Sequence, residues 1–146
     1  MARLLAEIEA RGLENIRIVV DDARLLLEAL PERTLDRIFV LFPDPWPKAR
    51  HHKRRIVNPT TAAAFGRLLR AGGELRLATD DPGYQRVMLE TLLARPEFDW
   101  RATQAADWRT RPADWPPTRY EQKARAAGRH PVFLTFERLA GPPRQT

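Results

Sequence analysis

The sequence predicts an α/β protein, a mostly parallel sheet covered by helices. Three observations carry that expectation. Apolar residues switch repeatedly between helical and strand spacing along the first two thirds of the chain. Helix and strand patterns alternate there, the order expected of parallel strands joined by crossover helices. Asp22, Asp44 and Asp80 each lie at or just past the C-terminal end of a predicted strand, the edge where open α/β sheets bind ligands.

The elements follow in order. Leu4, Leu5 and Ile8 have helical spacing, and Gly12 ends that turn. IRIVV (16–20) is a short β-branched strand, followed by Asp21 and Asp22. ARLLLEAL (23–30) is a helix. DRIFVLF (36–42) is an apolar run of the kind found in buried central strands. Residues 58–73 form a helix with Asn58 as N-cap, Pro59 at the first position and Gly72 at its end. Strand 74–80, amphipathic helix 82–95 and strand 99–103 come next. ADWRTRPADWPPT (106–118) is loop, RYEQKARAAG (119–128) a helix ended by Gly128, and VFLTFERL (132–139) a strand. The tail AGPPRQT (140–146) is expected to fray. No repeat or linker divides the chain, so residues 1–146 are read as one domain.

Composition bounds the function. The 146 residues include 43% hydrophobic ones, enough for a core, and carry a formal net charge of +6. Such a charge fits an anionic partner, nucleic acid first, or a solubility surface. The absence of cysteine excludes disulfides, thiolate catalysis and Cys-ligated zinc, and fits a cytoplasmic protein. No apolar run reaches the roughly 20 residues of a membrane span, and no leader is visible at the start.

The stretch FPDPWPKARHHKRR (42–55) joins a rigid acidic corner to a cationic strip. Pro43 and Pro45 restrict the backbone on both sides of Asp44. Arg50, Lys53, Arg54 and Arg55, with His51 and His52, form the strip. A charge run of this kind is often only a solvated face, but beside a carboxylate corner it suits RNA phosphates. The adjacent histidines lack the spacing of a helical metal pair, so no metal is expected. His130 is expected to be structural. Trp108 and Trp115 offer either base stacking or packing of their loop, and packing is the preferred reading.

FPDPWPKARHHKRRIVNP (42–59) resembles the signature of the bacterial tRNA (guanine-N7)-methyltransferases. LENIRIVVDDA (13–23), LRAGGELRLATDDPGY (69–84) and PPTRYEQKARAAGRHPVFLTFERL (116–139) are similar to further segments of that family, in the same order. The resemblance implies a Rossmann-like class I methyltransferase fold with an antiparallel C-terminal strand. It implies methyl transfer from S-adenosylmethionine to N7 of a guanine in the tRNA variable loop. The family's glycine-rich turn and the acidic residue after its second strand have no counterpart, so the expectation is an N-terminally truncated domain lacking the first two strands. IRIVV and DRIFVLF would then lose the strands between them. Either a gap remains, or they pair directly, or another chain fills the space. Activity of the chain alone is left open, and a non-catalytic RNA-binding fragment or module is the alternative. Whether it is a monomer or a homodimer is also open.

By the same resemblance Asp44 is the catalytic and cofactor-binding aspartate and Asp22 the cofactor residue near the adenine. Asp21 and Asp81 leave the assignments of Asp22 and Asp80 open by one position. Lys48, Asp80, Thr118, Arg119, Tyr120 and Glu121 bind substrate. T-R-Y-E has Arg119 and Tyr120 where Lys and Phe are more usual, keeping charge and ring. The chemistry agrees: guanine N7 carries an exposed lone pair and needs no general base, while a carboxylate stabilises the positive charge the base gains. Glu121 would accept from guanine N1–H and the exocyclic amine.

Overall fold

The computed structural model describes residues 2–141. The tail beyond Gly141 lies outside them. Four strands form one sheet in the order β1-β2-β4-β3: β1 Leu35–Leu41, β2 Leu69–Thr79, β3 Phe98–Trp100 and β4 Val132–Arg138. The helices are α1 Ala2–Ala10, α2 Ala23–Ala29, α3 Pro59–Leu68, α4 Pro82–Leu93, α5 Ala106–Arg109 and α6 Arg119–Ala126, with a 3-10 helix at Ala49–Arg54.

β1 and β2 run parallel, Ile38 opposite Leu75 and Leu41 opposite Ala78. β4 lies antiparallel to β2, as expected of the C-terminal strand, and β3 antiparallel to β4. Leu75 and Leu77 of β2 pack with Leu134 and Phe136 of β4 and with Phe65, Tyr84, Met88 and Leu92 from α3 and α4. Burying one such side chain is worth about 1.5–3 kcal/mol, so this cluster holds the sheet against its helices. The opposite face carries a smaller cluster of Ala78, Phe133 and Trp115.

The start of α3 is fixed as its sequence predicts. Asn58 accepts from the amides of Thr60 and Thr61 at 3.0 Å, the Thr61 hydroxyl accepts from the Asn58 amide, and Pro59 opens the helix. Its end differs. The helix stops at Leu68 because Leu69 already pairs with Leu35. The register then jumps to Glu74 opposite Arg37, and Gly72, at φ +76°, serves this excursion rather than a helix end.

One predicted strand is absent. Residues 16–20 are extended but unpaired, and Ile16, Ile18, Val19 and Val20 face solvent, Val20 at 76% exposure. A strand needs a ladder as well as β-branched residues. Among the described residues β1 pairs with β2 alone, so IRIVV and β1 do not pair directly and the parallel part of the sheet is a single pair. The 106–118 segment, read as loop, contains the one-turn α5. Trp115 is buried between Phe39 and Phe133, and Trp108 packs against the main core.

Candidate active site at the proline corner

The corner is built where β1 ends. The Phe42 amide donates to the Ala78 carbonyl at 2.8 Å, keeping the chain on the sheet, and Phe42 itself turns it outward at φ +50°. Trp46 repeats the left-handed conformation at φ +43°. Two non-glycine residues in this region within five positions are costly and persist only where the surroundings hold them. Arg55 supplies much of the hold. Its Nε donates to the Pro45 carbonyl at 2.7 Å, its guanidinium lies 5.1 Å from the centre of the Tyr84 ring, and it is 7% exposed. The Tyr84 hydroxyl in turn accepts from the Val57 amide at 3.0 Å, and burial pushes its pKa up. Arg54 stacks on Trp46 at 4.8 Å, and His51 meets the same ring edge-on.

Facing Asp44 is the end of β2. Asp81 accepts from the Tyr84 amide at 2.6 Å and caps α4, so it serves the fold, while Asp80 takes a 2.6 Å hydrogen bond from Arg129 Nε. The third wall is α6, which presents Tyr120 and Lys123. Together these groups line a cleft of about 390 Å³. Asp44 is exposed and, among the described residues, forms no ion pair.

Of the residues singled out from sequence, Asp44, Asp80 and Tyr120 meet in this cleft. Lys48 is exposed at the start of the 3-10 helix, which carries Arg50, His51, His52, Lys53 and Arg54 on the outside of the corner. Arg55 departs from expectation: its charge is spent on the Pro45 carbonyl and the Tyr84 ring, so it is no RNA ligand in this geometry. Thr118 caps α6 by accepting from the Glu121 amide at 3.1 Å, and Arg119 faces solvent.

Glu121 also departs from the expected guanine reader. It is 6% exposed and its carboxylate is divided between two arginines. Arg125 Nε donates to Oε1 at 3.0 Å. Arg111 Nε lies 3.1 Å from Oε2 without hydrogen-bond alignment, a Coulombic contact. Arg111 also donates to the Trp115 carbonyl. Arg76 extends the anchoring, with hydrogen bonds to Glu74 and Asp114 and its guanidinium near the rings of Phe39 and Trp115. These contacts fasten the loop before α6 to the sheet and so place Tyr120.

Asp22 is the N-cap of α2, away from the cleft lining. Arg24 grips both its oxygens, and those hydrogen bonds lower its pKa to about 2. His130 is exposed rather than structural. Phe42, Lys123 and Arg129 escaped the sequence reading. Lys123 is three residues from Tyr120 on a helix, so face spacing was the available signal. Arg129 is brought in only by folding.

Among the described residues no cluster of three or more His, Asp or Glu is placed to hold a metal, and no helix is long and apolar enough to cross a membrane. The donor set suits one end of S-adenosylmethionine: the unpaired Asp44 carboxylate fits its cationic sulfonium. The other proposed contact, Asp22, is already engaged by Arg24.

An open α/β sheet with a carboxylate-bearing cleft beyond the carboxyl ends of β1 and β2 defines a Rossmann-like protein. The chain belongs to the family described as "Putative methyltransferase", which matches residues 1–134. It is 51% identical over 138 residues to a tRNA (guanine-N(7)-)-methyltransferase of Rhodospirillum rubrum, covering 94% of this chain and 54% of that protein. Its identity to the protein of the same name from Ruegeria pomeroyi is 48% over 141 residues, covering 97% and 59%. The chain spans about half the length of these curated relatives. A SAM-dependent O-methyltransferase from Thermotoga maritima shares the fold with a TM-score of 0.52 at 16% identity, over 95% of this chain and 46% of that one.

Proposed function

We propose that this chain forms the guanine- and tRNA-facing part of a cytoplasmic tRNA (guanine-N7)-methyltransferase. Its substrate is a guanine of the variable loop. The observation that carries the reading is Asp44, a carboxylate fixed by a strained proline corner, free of ion pairs among the described residues, at a cleft that also holds Tyr120, Lys123 and Arg129. S-adenosylmethionine, when bound, would supply a sulfonium methyl: the guanine N7 lone pair forms the N–CH3 bond as the S–CH3 bond breaks, its electron pair staying on sulfur as the neutral thioether, with no prior deprotonation of the base. The task left to the chain is placement and charge. Asp44 puts a negative charge beside the base as it becomes cationic. Lys123 lines the cleft and Lys48 stands exposed at the start of the 3-10 helix, both available to neutralise phosphates. Arg50, Lys53 and Arg54 extend that field along the tRNA, each contact steepening the salt dependence by about 0.7–0.9.

The test compares wild type with Asp44→Asn. Single-turnover transfer of labelled methyl to tRNA falls by about 100-fold or more, the scale of losing one preorganised electrostatic group. tRNA affinity does not weaken. Transfer by Asp44→Asn at the wild-type rate would sink the assignment. A second reading, a non-catalytic RNA-binding module, is favoured by the engagement of Asp22 with Arg24. Calorimetric titration of S-adenosylmethionine separates the two: a folded chain that binds tRNA and shows no heat with the cofactor supports the module.

A further inference from the structure

Phe42 and Tyr120 face one another across the cleft with ring centroids 6.3 Å apart and planes 18° from parallel. They come from opposite walls, the end of β1 and the start of α6, and their placement needs a left-handed backbone at Phe42. Phe42 also packs against the small cluster of Ala78, Trp115 and Phe133, whereas Tyr120 belongs to neither core cluster. Tyr120 is 64% exposed, and no side-chain hydrogen bond fixes its hydroxyl among the described residues. The exposed Tyr120 ring, held nearly parallel to Phe42 in the cleft that carries Asp44, is not demanded by the core.

The spacing points to use. Stacked bases lie about 3.4 Å apart, so a base between two rings needs them about 6.8 Å apart. The observed centroid separation of 6.3 Å is about half an ångström short of that value, so the rings must part slightly to admit a base. Every base has a π-face, and aromatic platforms are the usual means of holding a splayed-out base. Asp44 is two residues from Phe42 on the same wall, so a base lying in this plane has the carboxylate at its edge.

We infer that Phe42 and Tyr120 form a slot that takes the extruded guanine between their rings. The slot rests on the tRNA reading above and adds to it the residue that fixes the plane of the base. Phe42 and Tyr120 position the base and Asp44 acts on its charge. Stacking alone does not choose guanine, so the slot sets orientation and leaves selection to polar groups at the rim.

The probe is a tRNA transcript carrying thienoguanosine, a fluorescent guanosine isostere, at the variable-loop guanine. Affinity and emission are measured for wild type, Phe42→Leu, Tyr120→Leu and Tyr120→Phe, with thermal melts on the same samples. Wild type changes the emission on binding. Phe42→Leu and Tyr120→Leu each lose most of that change and weaken binding about 5- to 150-fold, the range equivalent to about 1–3 kcal/mol for one base on one ring. Tyr120→Phe keeps both. Retention of the emission change by Phe42→Leu, with loss only in Tyr120→Leu, would place the base on the outer face of Tyr120 and overturn the slot. Retention by both would reduce the pair to packing, as would wild-type binding without any emission change. Tyr120 lies on the surface, so its variants keep the test sound even if Phe42→Leu misfolds. Failure of wild type to bind any tRNA would instead overturn the tRNA reading itself.

Discussion

Arg54 and Arg55 are chemically identical neighbours in a run of cations, and the structure predicts opposite phenotypes for them. Arg55→Met removes the donor to the Pro45 carbonyl at 2.7 Å and the guanidinium beside the Tyr84 ring. A hydrogen bond from a charged group is worth about 1.5–3 kcal/mol, and a desolvated cation–π contact about 2 kcal/mol. Methionine restores part of the packing, so the expected net loss is about 2–4 kcal/mol. For a domain of this size each kcal/mol moves the melting point by about 2–4 °C, which gives a drop of about 5–15 °C. Arg54→Met loses only an exposed stack on Trp46, about 0.5–1 kcal/mol. Under the proposed tRNA-binding role its effect falls on RNA: the slope of log affinity against log salt shrinks by about 0.7–0.9. Paired melts and tRNA titrations at several salt concentrations read both numbers. If Arg55→Met melted with wild type and flattened the salt slope, the buried role derived for Arg55 would be wrong.

Two further outcomes follow from local geometry. A Cβ at Gly73 would meet the backbone carbonyls of Arg70 at 2.9 Å and Asp36 at 3.0 Å, so Gly73→Ala costs about 1–3 kcal/mol in urea unfolding; an unchanged midpoint would show that the β1–β2 excursion yields freely. Asp22 is held at a pKa of about 2 against an ordinary value of 3.8 by hydrogen bonds from Arg24. Because the folded value is the lower one, its contribution to stability is present above about pH 4 and lost as pH falls through about 2. Carboxyl NMR of Arg24→Ala should show the Asp22 midpoint returning toward 3.8, and a midpoint that stayed near 2 would exclude Arg24 as the cause.

Sequence legibility followed the range of the forces. Asn58 and Pro59 announced the start of α3 because capping is settled within three residues. β4 was readable because Phe133, Leu134 and Phe136 are apolar whichever neighbour they meet. IRIVV has equally good strand composition and failed, because pairing is decided by what lies alongside it. The end of α3 was misplaced for a related reason: Leu69 left the helix to meet Leu35, a contact across the fold. In the site, the prolines around Asp44 mark a fixed carboxylate locally. Charge in a sequence has no direction, however. The strip did not reveal that Arg55 turns inward, nor T-R-Y-E that Arg111 and Arg125 share Glu121. Arg129 and Phe42 reach the cleft only through contacts across the fold, with Asp80 and Tyr120.

The placement of β4 has a consequence for the order of synthesis. It is the last strand in the described chain, yet it sits inside the sheet, between β2 and β3. At about 5–20 residues per second, the ribosome needs several seconds to carry the chain from Thr79 to Val132. Throughout that interval one edge of β2 has no neighbour and Leu77 and Ala78 lack their cover from Leu134 and Phe133. The nascent chain must therefore wait, sticky and half-built, for its final strand to thread home. Trimming the chain within β4 would remove a keystone rather than an end.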